Sequence, residues 1–224
     1  MRIVALTAIV LLSAGCAAES DHRSHGTPSS TTAAADESSA VPTTRSAPTQ
    51  GASVADLESW TRAGHKVEAS EYSTARLDSG AVTDLKSDRA FTSPSGKISC
   101  ITDYEHGDQG IVCLVELKNP PAKPHDGMGN WKGGWIRYTG SKLTVGAFRG
   151  DPGPFVQGRG PELPYGSALS MRGFTCRMDS SGLTCVNPAV GSGVQMSDAG
   201  VIPFGCLKEQ AATQNDNAGV LFSC

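Results

Sequence analysis

Residues 173–187 read GFTCRMDSSGLTCVN, and this stretch predicts a tight β-hairpin. Centring the turn between Ser180 and Ser181 places Cys176 directly opposite Cys185. An Asp and a Gly flank that turn, and both residue types favour tight turns. Cysteines at opposed positions of two antiparallel strands lie within disulfide reach. The stretch therefore predicts a local fold together with the covalent bond that fixes it.

A second stretch, residues 96–117, repeats this arrangement with a longer turn. It reads GKISCITDYEHGDQGIVCLVEL. A turn centred between His106 and Gly107 places Cys100 opposite Cys113. Two hairpins of the same kind indicate a domain that is built from antiparallel strands.

The cysteine count supports this interpretation once Cys16 is set aside. Six of the seven cysteines remain, and an even number in an exported chain favours disulfides over metal ligation or catalysis. Six cysteines allow fifteen connectivities, but their clustering favours pairing between neighbours. That choice leaves Cys206 to pair with Cys224 and to tie down the C-terminus. No C-x-x-C spacing occurs, so we expect no metal site at these cysteines.

The rest of residues 91–224 reads as short strands between turns rich in Gly and Pro. The further predicted strands are GGWIRYTG (133–140), KLTVGAF (142–148), SALSMRGFTC (167–176) and VQMSDAGVIPF (194–204). Their spacing favours an antiparallel sheet over a parallel α/β sheet. We expect a mainly β fold, a small disulfide-stapled antiparallel barrel or sandwich.

Residues 53–90 precede this domain, and they open with SVADLESWTRAGHKV, which predicts a short N-terminal helix. Ser53 is a suitable N-cap, and Leu57 and Trp60 fall on one helix face. Gly64 is a suitable stop. The remainder of the segment is predicted to connect the helix to the β domain.

The N-terminus predicts export and lipid attachment. Residues 1–15 combine one basic residue, an uncharged apolar run and the small residues Ser-Ala-Gly, which is typical of a lipoprotein signal peptide. Cys16 would become the first mature residue and carry a diacylglyceryl group and an N-acyl chain such as palmitate. Ordinary secretion with cleavage nearby is the alternative. Residues 16–52, rich in Ser, Thr, Ala and Pro, predict a disordered tether.

Charge and motifs exclude several function classes. The chain has a formal net charge of −3, and residues 91–224 hold eleven basic and eleven acidic residues, so we expect no nucleic-acid partner. Between Lys132 and Arg177 basic residues outnumber acidic ones, which indicates either a solvated face or a contact with an anionic envelope component. No nucleotide-binding, nucleophile-elbow or zinc-protease motif occurs, so we expect no cofactor, no metal and no catalytic residues.

Two features are candidates for a binding surface. GNWKGGW places Trp131 and Trp135 among glycines, and paired aromatic residues with slim neighbours can stack on sugar rings. The alternative is that one or both tryptophans fill the core. The Pro- and Gly-rich stretch 150–166 contains Phe155 and Tyr165, and it is either a functional loop or a packed crossover.

Several blocks of this sequence resemble a known family. They are FTSPSGKISCITD, GDPGPF, GPELPYG, GLTCVN and IPFGCL. These blocks are similar to the mycobacterial cell-envelope lipoproteins of the LppI type and, more broadly, to actinobacterial exported domains of unknown function. The resemblance covers roughly residues 56–224. It implies lipid attachment at Cys16, and it carries over no activity, ligand or catalytic residue.

These observations together predict a lipid-anchored protein on the outer face of the cytoplasmic membrane. We expect a non-catalytic binding or structural module of the cell envelope, with a cell-wall glycan, a lipid or an envelope protein as its partner. One alternative is an envelope hydrolase or transferase whose site is assembled from dispersed residues. Another is a carrier that holds a lipid or glycan in a cavity of the β domain.

Overall fold

The computed structural model describes residues 46–124, 127–213 and 216–224. The predicted signal peptide, the lipidation site Cys16 and the tether up to residue 45 lie outside the described residues. The described residues belong to one compact unit. Its fold is mainly β with one α-helix, and neither of its two large sheets closes into a barrel within the described ranges. The predicted fold class is confirmed, and of its two forms the sandwich is the one observed.

The elements follow the chain as short strands joined by turns. The helix α1 spans Val54–Arg62. The described strands are β1 (His65–Lys66), β2 (Thr74–Arg76), β3 (Val82–Asp84), β4 (Ala90–Thr92), β5 (Ile98–Thr102), β6 (Ile111–Val115), β7 (Asn130–Tyr138), β8 (Lys142–Arg149), β9 (Ser167–Met171), β10 (Phe174–Asp179), β11 (Gly182–Asn187), β12 (Ser192–Ser197), β13 (Gly200–Gly205), β14 (Lys208–Gln210) and β15 (Ala218–Ser223). Single 3-10 turns occupy Ala69–Tyr72, Tyr104–His106 and Gly153–Gln157.

Two large sheets form the sandwich. The six-stranded sheet has the order β1-β9-β10-β11-β12-β13, and the seven-stranded sheet has the order β14-β15-β8-β7-β6-β5-β4. Their strand pairs are antiparallel, apart from the short parallel pair β1–β9. Strands β2 and β3 form a separate two-stranded ribbon.

Both predicted hairpins are confirmed in register. In the β10–β11 hairpin Cys176 lies opposite Cys185, and in the β5–β6 hairpin Cys100 lies opposite Cys113. Each pair is disulfide-bonded within its own sheet. The third predicted pair is also bonded, and it differs because Cys206 follows a strand of the six-stranded sheet whereas Cys224 follows one of the seven-stranded sheet. This last bond therefore joins the two sheets.

Two segments that were predicted as single strands are each a pair of strands. Residues 167–176 turn back after Met171, which pairs with Phe174 across a two-residue turn. Residues 194–204 likewise reverse between β12 and β13. In the first turn Gly173 has a φ of +84°, a left-handed conformation that glycine adopts at no steric cost. The apolar residues on both sides of Arg172 and Gly173 read as one strand and concealed this reversal.

The inner faces of the two sheets share one core. Both hairpin disulfides lie in it, and it is filled by side chains from β5 to β8 on one side and from β9 to β12 on the other. A buried hydrogen-bond chain joins the sheets, because the Tyr138 hydroxyl bonds to Ser192 Oγ at 2.7 Å and Ser192 donates to the carbonyl of Gly140. Burial raises the pKa of Tyr138 to about 12, so the phenol stays neutral.

Helix α1 covers the outer face of the six-stranded sheet. The backbone N–H of Asp56 donates to the Ser53 side chain at 3.1 Å, which confirms the predicted N-cap. Leu57 packs on Val186 and Phe204 of the sheet. The predicted apolar face of the helix is thus buried.

The outer face of the seven-stranded sheet is covered only in part. Ala75 and Leu85, from the segment that contains the β2–β3 ribbon, pack on Ala90 and Ile101. The buried carboxylate of Asp88 holds this segment. It accepts three hydrogen bonds near the end of β5, one from the Thr102 hydroxyl and two from the backbone N–H groups of Tyr104 and Glu105. The part of this face formed by β6 and β7 remains open for the site described next.

Candidate functional site

The candidate site lies where β6 and β7 run side by side on the outer face of the seven-stranded sheet. Leu114 pairs with Trp135 there, so the two side chains share this face. The pairing of β7 with β8 shifts between Lys132 and Ile136, which marks a bulge at Gly133 and Gly134. A Cβ at Gly134 would overlap the backbone carbonyl of Val115, so the close approach of the two strands requires glycine.

Trp135 forms the floor of the site. Its side chain is only 5% exposed, and it packs edge-on against Phe155 with 5.6 Å between ring centroids. The guanidinium of Arg149 lies 4.5 Å from the centroid of the same ring. Phe155 comes from the loop that follows β8, so that loop forms one wall of the site. The Pro- and Gly-rich stretch is therefore a packed loop that also shapes the surface.

Trp131 lies on the other side of the glycines and is more accessible than Trp135. Its indole N–H donates to the carbonyl of Pro121 at 3.2 Å, and its ring packs against Phe148 at a centroid distance of 5.1 Å. These contacts fix the ring while leaving it partly exposed. The two tryptophans thus have different environments: Trp135 is buried beside Arg149 and Phe155, whereas Trp131 pairs with Phe148 and its side chain lies on the opposite face of β7.

Two adjoining depressions surround these aromatic residues, and together we call them the tryptophan groove. Their volumes are about 360 Å³ and about 350 Å³, and they share Leu114, Lys132 and Trp135. The first depression reaches Arg149 and Phe155. The second is further lined by Gly96, Lys97, Glu116, Trp131 and Arg159.

The tryptophan groove is rich in cations. Lys132 is exposed at the junction of the two depressions and forms no ion pair with any described residue. Arg149 donates from Nη2 to Asp151 at 2.9 Å, but its buried Nε has no hydrogen-bond partner among the residues described. Since Lys97 and Arg159 also line the groove while Glu116 and Asp151 are its acidic residues, positive charge prevails.

Tyr165 lies apart from the other aromatic candidates. It is 47% exposed and lines a small serine-rich depression of about 130 Å³. Lys97 lines both this depression and the tryptophan groove, and its ammonium group bonds to Asp198 at 2.9 Å. The structure therefore brings Trp135 and Phe155 into contact, places Trp131 at the second depression with its side chain on the opposite face of β7, and leaves Tyr165 beside the groove.

Other ionisable groups form local pairs outside the groove. His106 Nδ1 lies 2.6 Å from the carboxylate of Asp103, and this hydrogen bond raises the pKa of the exposed imidazole. A hydrogen bond from Lys142 lowers the pKa of Asp216. No cluster of three or more metal-ligating side chains occurs within the described ranges. In the same ranges no helix has the length and apolar character needed to cross a membrane.

The basic residues of the groove were only partly foreseen. The excess of basic residues between Lys132 and Arg177 includes Arg149 and Arg159, but the sequence did not indicate that they share a site with the tryptophans. Lys97 was missed, because it is distant in sequence and reaches the groove only through the pairing of β5, β6 and β7.

Comparison with known proteins adds no relative. No protein-family model matches the chain, and no curated protein or solved structure matches it either. The resemblance to lipoproteins of the LppI type stays a prediction.

Proposed function

We propose that this protein is a lipid-anchored lipoprotein on the outer face of the cytoplasmic membrane, and that its β-sandwich is a non-catalytic binding module of the cell envelope. The anchor is Cys16, which follows the apolar run and small residues of the signal peptide. The three disulfides support an exported location, because such bonds persist in oxidising compartments.

The tryptophan groove is the observation that carries the binding function. It joins the apolar side chains of Leu114 and Phe155 to several cations on one sheet face, and its second depression also reaches the partly exposed Trp131 at the strand end. Binding sites typically combine apolar walls with a few polar groups that fix the orientation of the ligand. An envelope component that enters the groove would contact apolar and cationic side chains at once.

The filled interior of the sandwich favours a surface site over an internal carrier cavity. The side chains of Ile136, Leu143, Leu169, Met178 and Val194 have no exposed area in the space between the sheets. A carrier for a lipid chain would need that space. The open groove on the outer face therefore fits the role of the ligand site better.

The anchor is tested by fractionating cells that produce the full chain. The wild-type protein is expected in the membrane fraction, and the Cys16→Ala variant is expected to be released with its near-UV circular dichroism unchanged. Retention of a folded Cys16→Ala variant in the membrane would overturn the lipid anchor.

The binding function is tested by native pull-down of the full chain, followed by mass spectrometry of glycans, lipids and proteins. We expect a component that is captured by the wild-type protein and lost from Trp131→Ala. Lys208→Gln, on the edge strand β14, is a control variant that should retain it. Turnover of a cell-wall substrate by the wild-type protein, abolished by a point substitution, would replace the binding module with an enzyme.

A further inference from the structure

Resting on the proposed binding function, the geometry points to an amphiphilic anion as the ligand of the first depression of the tryptophan groove. Such a ligand carries one phosphate or carboxylate group next to an apolar chain. Lys132 and Arg149 bind the anionic head, and Leu114 and Phe155 contact the chain. This inference names a ligand class and assigns its specificity to four side chains.

The two cations lie on the same face of the β7–β8 pair. Asn130 lies opposite Arg149 in the ladder. Lys132, two residues after Asn130, lies opposite Ala147, so Lys132 and Arg149 project to one face. They are diagonal neighbours across the two strands, a relation that places residues about 7–8 Å apart. The guanidinium of Arg149 extends along this face to the ring of Trp135, so both long side chains can reach one anionic group.

Both cations are available to an anion. Lys132 is exposed and forms no ion pair with any described residue. Arg149 forms its ion pair with Asp151, whose side chain is 72% exposed. An ion pair this exposed is weak, so an incoming anion can replace Asp151 at little cost. A planar guanidinium suits both carboxylate and phosphate oxygens. Because Asp151 is the single acidic side chain among the described residues that line this depression, positive charge prevails there.

The apolar wall of the depression favours an amphiphilic anion over an inorganic one. Leu114 lies opposite Trp135 in the sheet, and Phe155 packs edge-on against the same ring. Both residues pack on the buried cluster around Trp135 but are themselves only partly buried, so each presents apolar surface to solvent. Covering such surface with a hydrocarbon chain is favourable, and the gain grows with the area removed from water.

The size of the depression limits how much of the ligand it holds. Its volume of about 360 Å³ is close to the lower end of the range of about 300–1,000 Å³ that small-ligand sites occupy. It therefore suits the anionic head and the first carbons of the chain, while a longer chain extends beyond it. A free short-chain amphiphile and the headgroup region of an anionic lipid share this chemistry.

The experiment titrates probes into the full chain carrying Cys16→Ala, because the attached lipid and the detergent it requires would compete with an amphiphile. Hexyl phosphate and hexanoate join an anionic head to a chain. Inorganic phosphate lacks the chain, hexanol lacks the charge, and hexylammonium reverses it. Two-dimensional ¹H–¹⁵N NMR follows the indole N–H of Trp135 and the backbone N–H groups of Lys132 and Arg149. We expect at least one anionic hexyl probe to bind with a Kd of roughly millimolar or below, and the other three probes to bind at least about tenfold more weakly.

Vesicles distinguish the two sources of such a ligand. Phosphatidylglycerol vesicles present an anionic phosphate and chains in a bilayer, and phosphatidylcholine vesicles are the neutral control. Cosedimentation with the phosphatidylglycerol vesicles, competed by hexyl phosphate, would support the inference and assign the source to a membrane lipid. Binding of an anionic hexyl probe without cosedimentation would support it and assign the source to a free amphiphile. Cosedimentation without binding of either anionic hexyl probe would contradict it, because a general attraction between charges would then suffice.

Variants locate the binding. Lys132→Gln and Arg149→Gln are each expected to weaken the anionic hexyl probe about tenfold, since each removes one charge-assisted contact. Leu114→Ala should weaken it about threefold, since it removes apolar contact with the chain. Lys208→Gln makes the same charge change outside the groove and should leave the affinity unchanged. Lys132 is an exposed side chain, so its variant folds even if Arg149→Gln disturbs the loop.

Several results would overturn the inference. Equal affinity for hexanol would remove the role of charge, equal affinity for inorganic phosphate would remove the role of the chain, and unchanged affinity in Lys132→Gln would place binding elsewhere. Failure of both anionic hexyl probes would also overturn it. In that last case the proposed function still stands if the native pull-down yields a component that is lost from Trp131→Ala.

Discussion

Each sheet of the sandwich carries an arginine stacked on a tryptophan on its outer face, and the two pairs differ in their surroundings. In the six-stranded sheet Arg177 lies 4.0 Å from the ring centroid of Trp60, its side chain is 8% exposed, and Nη1 donates to the carbonyl of Trp60 at 2.9 Å. In the seven-stranded sheet Arg149 lies over Trp135 with 30% of its side chain exposed.

The difference shows how one contact can serve two purposes. The Arg177 pair docks helix α1 on its sheet, so both partners are buried and the guanidinium bonds to the helix backbone. The Arg149 pair lies against the loop that contains Gly153 and Phe155, and its ion-pair partner is an exposed aspartate. We therefore assign stability to the first pair and ligand binding to the second.

The largest expected effect on stability comes from the hairpin disulfides, of which each sheet contains one. Removing either hairpin disulfide, by Cys176→Ala with Cys185→Ala or by Cys100→Ala with Cys113→Ala, should lower the free energy of unfolding by about 3 kcal/mol. The losses should be similar because the loops close over 9 and 13 residues. Urea denaturation followed by circular dichroism measures both. A loss confined to one hairpin would show that the inner faces are not equivalent.

The next effect separates the two arginines. Arg177→Ala should lower the free energy of unfolding by about 2 kcal/mol, because it removes a buried hydrogen bond and the contact with Trp60. Arg149→Gln should cost less than about 1 kcal/mol, since its ion pair is exposed to solvent. Thermal and urea denaturation of both variants checks this order. Equal losses would mean that the Arg149 pair is also structural.

A third effect lies in the floor of the groove. Phe155→Ala should expose the edge of Trp135 and lower the thermal midpoint modestly, because Phe155 is only partly buried. Tryptophan fluorescence should shift to longer wavelength as the ring gains contact with water. An unchanged spectrum would contradict the close packing of these two rings.

The smallest expected effect is electrostatic. Hydrogen bonds from Lys97 and Lys118 hold the pKa of Asp198 below its usual value, so this carboxylate stabilises the fold above the unfolded-state pKa and the stabilisation is lost as the pH falls. Asp198→Asn should therefore be slightly less stable than the wild type near neutral pH, and the two should converge in acid. Denaturation midpoints measured across that pH range test the sign.

The hairpins, the helix and the three disulfides could be predicted because their signals are local. In the stretch 173–187 the turn residues and the cysteines lie within one hairpin, so register follows from spacing alone. The helix was equally local, since Ser53 caps it and its apolar residues recur with the helical period. The mainly β fold class followed from the predicted hairpins, helix and disulfides.

The site could be predicted only in part, because it depends on contacts between distant strands. Trp131 and Trp135 share one motif, but Lys97 joins them only after β5, β6 and β7 have paired. The role of Trp135 as a buried floor depends on Phe155 and Arg149, which come from β8 and its following loop. Spacing along the sequence does not show which of these distant side chains come into contact.

The central claim is that the outer face of the seven-stranded sheet binds the ligand while the outer face of the six-stranded sheet does not. The chain has three tryptophans, and their indole N–H signals can be followed by two-dimensional ¹H–¹⁵N NMR during titration with the component that the native pull-down captures. We predict that the signals of Trp131 and Trp135 shift together while that of Trp60 stays in place. A shift of Trp60 alone, or no shift of Trp131 and Trp135 while the probe binds, would contradict the account.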